Sequence, residues 1–124
     1  MMNQYFGELT FDCGWTTKRN IHLFDKNYEI EVYLLAYKSE REILAVQDDA
    51  CRTYLENEKE NLACMEKLLL DYSDDAALRF TPSSLYFDRD GGCALLCDDE
   101  QDLDEGIAVC ILPEKSVEYQ SDYL

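Results

Sequence analysis

The spacing of hydrophobic positions changes twice along the chain, from period two to a helical period and back. Residues 4–12, QYFGELTFD, alternate loosely, with Tyr5, Leu9 and Phe11 among the apolar positions, and read as a strand. Residues 13–20, CGWTTKRN, lack such a pattern and read as a turn or loop. Residues 21–25, IHLFD, place Ile21 and Leu23 on one strand face and His22 on the other. Residues 25–27 supply a polar turn. Residues 28–37 open with clean alternation, Tyr28, Ile30 and Val32 against Glu29 and Glu31, then become apolar on both faces. That change is expected of a central strand, and the short connections predict an antiparallel meander of three strands.

After Tyr37 the spacing becomes helical. Ser39 is placed as an N-cap, with Glu42 as its capping-box partner. Ile43, Val46, Ala50 and Tyr54 recur at three- and four-residue steps, and Leu62, Met65, Leu69 and Tyr72 form a second stripe. The polar break at residues 56–61 contains neither Gly nor Pro, so both one bent helix and a helix pair satisfy the pattern over residues 40–72. The helical region should end near DYSDD, with fraying as far as Ala77.

Pro82 marks a return to strands. SLYFD and CALLCDD flank DRDGG, whose Asp-Gly and Gly-Gly steps tolerate positive φ and predict a tight hairpin. Residues 105–113, EGIAVCILP, form the most continuous apolar run and predict a central strand, with SVEYQ as a final edge strand. Three N-terminal strands, one or two central helices and three or four C-terminal strands make one α+β domain spanning residues 1–124. Its sheet is mostly antiparallel, with the helices packed on one face.

Charge narrows the function classes. The net charge is −16, which argues against direct nucleic-acid binding, since phosphate recognition needs Lys and Arg. Anionic membrane surfaces are disfavoured on the same ground. Half of that net charge lies in residues 98–124, where nine carboxylates face one lysine, Lys115. No apolar run reaches the ~18 residues of a membrane span, and the first residues show neither a basic region nor an apolar export core, so a cytoplasmic protein is expected. The six cysteines have apolar neighbours, as in CALLC, and are expected to be reduced and buried rather than disulfide-bonded.

The densest acidic run, CDDEQDLDEG, carries Asp98, Asp99, Glu100, Asp102, Asp104 and Glu105. It does not fit a calcium loop. Counted from Asp98, Leu103 falls at the glycine position and Val109 at the closing glutamate; starts at Glu100 and Asp88 fail in the same way. Cys93, Cys97, Cys110 and His22 include no C-x2-C pair, against a zinc site. Paired carboxylates do hydrolytic work when one sits in an apolar pocket, and this run contains one apolar residue, Leu103. His22 is the single histidine, and Cys13 has no basic neighbour to activate it. No catalytic residue, cofactor or metal ligand is expected. Trp15 has two open readings, a core plug or an anchor for a partner. The remaining reading is a binding module in which residues 98–105 and Trp15 meet a basic protein.

FDCGW, QDDACRTYLENEKE, LYFDRDGGCALLCDDEQDLDEGIAVCILPE and the closing YQSDYL resemble a family of bacterial domains without assigned activity. That family is related to the immunity proteins of polymorphic and contact-dependent toxins. The resemblance covers most of the chain and is most specific over residues 85–113. It implies an acidic immunity protein that neutralises a cognate basic toxin domain, a nuclease for choice, by covering its active site or substrate groove. The family offers no agreed catalytic residues to transfer. The alternative expectation is a non-catalytic binding or regulatory domain of unrelated role.

Overall fold

The computed structural model describes residues 1–37 and 42–124. Its strands are β1 (Met2–Asn3), β2 (Gly7–Glu8), β3 (Thr10–Phe11), β4 (Gly14–Leu23) and β5 (Lys26–Leu35) before the helices, and β6 (Phe80–Phe87), β7 (Cys93–Asp99), β8 (Ile107–Leu112) and β9 (Ser116–Tyr119) after them. The helices are α1 (Ala45–Glu56), α2 (Glu58–Tyr72), the short α3 (Ala76–Arg79) and a C-terminal turn, α4 (Gln120–Tyr123). β3 to β9 form one seven-stranded sheet in sequence order; β1 and β2 pair separately. Every pairing in the large sheet is antiparallel except β5 with β6, which run parallel across the helical connection. The protein is therefore α+β, a mostly antiparallel sheet with the two long helices on one face.

Several expected elements differ in detail. Residues 4–12, expected as one strand, hold two two-residue strands, β2 and β3, with β1 before them. The Asn3 side chain accepts the N–H groups of Tyr5 and Phe6 at 2.8 and 2.9 Å, and Gly7 takes φ +80°, so the chain bends where a straight strand was expected. Residues 13–20, expected as loop, are mostly strand β4. Arg19 does not disturb it, because its guanidinium reaches the Glu58 carboxylate with two bonds of 2.8 and 2.7 Å on the helical side. The β4–β5 turn falls at Phe24 and Asp25, which take φ of 50° and 61°, one position earlier than the polar residues suggested. The DRDGG hairpin forms as expected. Asp88 Oδ1 accepts the N–H groups of Asp90 and Gly92, and Gly91 takes φ +90°.

The helical segment is a pair, broken at Asn57, whose N–H bonds to Tyr54 O at 3.3 Å. The Ser39 cap lies outside the described residues. The first described helical residue is Ala45, and the Leu44 N–H is taken by the Gln47 side chain at 3.2 Å. The buried stripe of α1 is Gln47, Ala50, Cys51 and Tyr54, rather than one through Val46, which is exposed. Leu62, Met65 and Leu69 form the buried stripe of α2. These stripes pack on Ile30, Val32, Leu34, Leu85, Phe87, Leu95, Ile107 and Val109 of the sheet. Each such aliphatic side chain stabilises the fold by ~1.5–3 kcal/mol relative to exposure. No described helix is long and apolar enough to cross a membrane.

The opposite sheet face is treated unevenly. Over β7 and β8 it presents Ala94, Leu96, Ala108 and Cys110, mostly small residues that let Tyr123 of α4 settle against them. Gln120 ties α4 down by donating to Cys97 O at 2.9 Å. Over β4 and β5 no described helix covers this face, and over β6 Tyr123 of α4 reaches Tyr86.

Candidate functional site

Residues 98–105 divide into anchors and free charges. Asp99 ends β7 and is buried. Arg79 donates to both its carboxylate oxygens, at 2.9 and 3.0 Å, and the Gln101 N–H adds a third bond at 2.9 Å. The Arg79 contact holds the Asp99 carboxyl below the usual range, with the Gln101 N–H assisting and burial opposing. The neighbouring Glu100 N–H bonds to Arg79 O at 3.0 Å, so backbone and side chain fix the loop's start together. Glu105 fixes its end. Its carboxylate accepts the Ser121 N–H at 2.9 Å and hydroxyl at 2.8 Å, and these bonds lower its pKa. Asp98, Glu100, Asp102 and Asp104 are exposed and have no side-chain partner among the described residues. The expectation of an entirely solvated rim therefore fails at Asp99, which is buried, while Glu105 stays partly open to solvent but bonded to Ser121. Both are spent on holding the loop, because Arg79 and Ser121 approach from elements distant in sequence.

Trp15 does not join this patch. β-Register places it opposite Leu34, which in turn lies opposite Phe87, at the far end of the sheet from the Phe80–Asp99 pair. Its ring faces the helical layer, packs on the main core and meets Phe11 edge-on at 5.1 Å between ring centres. The ring is half-buried, packed against the core as a core plug would be. The indole N–H is buried without a hydrogen-bond partner among the described residues.

A second feature was not anticipated. On the uncovered sheet face, a groove of about 420 Å³ is lined by Asp12, Cys13, Glu31, Tyr33, Ser84, Tyr86, Leu96 and Leu124. Register explains the assembly: Glu31 lies opposite Ser84 and Ser84 opposite Leu96, while Tyr33 lies opposite Tyr86. The Tyr33 and Tyr86 rings stack at 5.0 Å with 17° between planes, and Tyr123 meets Tyr86 edge-on at 5.9 Å. The Tyr33 hydroxyl donates to Cys13 O and pins the β3–β4 corner against the groove. Gly14 makes this possible, since a Cβ there would lie 2.6 Å from Tyr33 Cζ and 2.9 Å from Leu34 O. Lys18, opposite Glu31 in register, lies 3.7 Å from Glu29 instead, so Glu31 has no ion-pair partner among the described residues. Asp98 is two positions beyond Leu96 on the same strand and face, so the groove runs toward the acidic loop.

The other chemical candidates fall on the surface or in the core. His22 is exposed, 2.9 Å from Asn27 Oδ1 and 3.6 Å from Asp25. The Asn27 bond and, after burial's opposing effect, Asp25 raise its pKa. Cys51, Cys93, Cys97 and Cys110 are buried, and burial pushes their thiols upward, Cys51 to about 12. Among the described residues no cluster of His, Cys, Asp or Glu is placed to hold a metal ion. The arrangement supplies negative potential, an aromatic floor and a rigid backing. No protein-family model, curated protein or solved structure matches the chain.

Proposed function

We propose that this protein is a non-catalytic acidic docking domain of the cytoplasm that binds a basic protein, and that the partner is a cognate toxin domain whose substrate groove it covers. The observation that supports the reading is the free charge of Asp98, Glu100, Asp102 and Asp104 on a loop clamped at both ends by Arg79–Asp99 and Glu105–Ser121. Clamped carboxylates present a fixed potential to an incoming partner, which raises encounter rates and disfavours acidic competitors. A nuclease groove is basic because its substrate is a polyphosphate, so an acidic surface of this kind is complementary to it.

The test uses any basic toxin domain found encoded beside this protein's gene. Its association rate with the parent protein and with D98N/E100Q/D102N/D104N is measured across a salt series. Surface charges are screened over ~8 Å at physiological ionic strength, so the parent's rate should fall steeply with salt. The variant should associate about five- to tenfold more slowly at low salt, with a shallower slope. Equal rates and slopes would reduce the loop to a solubilising role, and a gene neighbourhood without a basic toxin domain would remove the toxin from the proposal.

A further inference from the structure

The geometry points to the groove between Asp12, Glu31, Tyr33 and Tyr86 as a receiving slot for one arginine side chain of the basic partner; this rests on the docking function proposed above and assigns its centre. Arginine has an aliphatic stem and a planar head with five donors. The groove offers a counterpart to each part. Leu96, Leu124 and the tyrosine rings provide apolar wall for the stem. Asp12 and Glu31 provide carboxylates for the head, and neither has an ion-pair partner among the described residues. The volume, about 420 Å³, suits one long side chain with its flanking backbone.

The local field has the required sign. Burial raises the Tyr33 phenol most, and the carboxylates of Asp12 and Glu31 raise it further. Burial disfavours either charge, but the carboxylates of Asp12 and Glu31 that disfavour a phenolate favour a cation in the same place. The position is held rigidly, because Tyr33 is stacked on Tyr86 and bonded to Cys13 O. The acidic loop beyond Asp98 would then steer the partner, and the groove would fix its register, since a partly desolvated charge pair discriminates more strongly than rim charges do.

The experiment is a titration of the full chain, followed by backbone amide NMR shifts, with the blocked tripeptide Ac-Gly-Arg-Gly-NH2. Its isostere Ac-Gly-citrulline-Gly-NH2, which lacks the charge, is the control. The arginine peptide should shift residues 12–14, 31–33, 84–86 and 96, and the citrulline peptide should not. D12N/E31Q changes two exposed side chains and should fold as the parent does, checked by its urea midpoint. It should weaken the arginine peptide about tenfold, a loss of about 1.4 kcal/mol, while D98N/E100Q/D102N/D104N changes it less than about twofold. Shifts confined to residues 98–105, absent shifts, or equal response to citrulline would each overturn the slot. The docking function has its own readout in the toxin association rate, so failure of the slot and failure of that function are separable.

Discussion

Arg79 and Asp99 join the end of α3 to the end of β7 through two hydrogen bonds of 2.9 and 3.0 Å, and this pair decides how the acidic run is used. The Arg79 guanidinium also lies 4.9 Å from the Phe80 ring centre and 5.8 Å from that of Tyr72, so it is packed as well as paired. One of six clustered carboxylates thereby becomes a fastener, and Asp98 and Glu100 on either side of it stay exposed.

The pair should make stability sensitive to acid. Asp99's pKa is lowered in the folded state, so its contribution is fully present above the unfolded value of about 3.9 and is lost as pH falls through the folded value. Glu58 acts in the same direction, because its bonds to Arg19 outweigh the upward push of burial. Asp99→Asn should lower the urea midpoint at neutral pH and flatten its decline below about pH 5. A variant that keeps the parent's acid limb would show that the pair does not carry this dependence.

Gln47 should matter more than its place on a helix suggests. Its side chain is buried, donates to Leu35 O at 2.8 Å and Phe87 O at 3.4 Å, and accepts the Leu44 N–H at 3.2 Å. It ties α1 to the ends of β5 and β6, the one parallel pairing of the large sheet. Gln47→Leu conserves bulk but orphans those backbone groups and should cost about 1–3 kcal/mol. Denaturant unfolding gives the value, and a loss below about 0.5 kcal/mol would refute the tie.

The cysteines should sort by burial. Cys13 is exposed, Cys64 is intermediate and the other four are buried. A thiol-specific chromophore should label Cys13 first and Cys64 more slowly. Cys51, Cys93, Cys97 and Cys110 should become reactive only on unfolding, because burial raises their pKa and bars access. Six thiols under denaturing, non-reducing conditions complete the count; fewer would reveal oxidation, and fast native labelling of all six would contradict the core described here.

Local periodicity determined much of this protein. Alternation in residues 28–35, helical spacing at Leu62, Met65 and Leu69, and the Asp-Gly-Gly turn each encode an element and its buried face, because those patterns depend only on neighbours within a turn or a strand. Where the code was polar on both sides, as at Lys18 and Arg19, the strand was hidden; Glu58, 39 positions away, gives Arg19 its place. Tertiary structure alone decided the parallel β5–β6 junction, the division of residues 98–105 into anchors and free charges, and the groove. The groove draws residues from the β3–β4 corner, three strands and the C-terminal segment, and no local pattern marks it. A carboxylate reads the same in sequence whether it meets an arginine, a serine or water, since that choice is made when distant segments close around a common core.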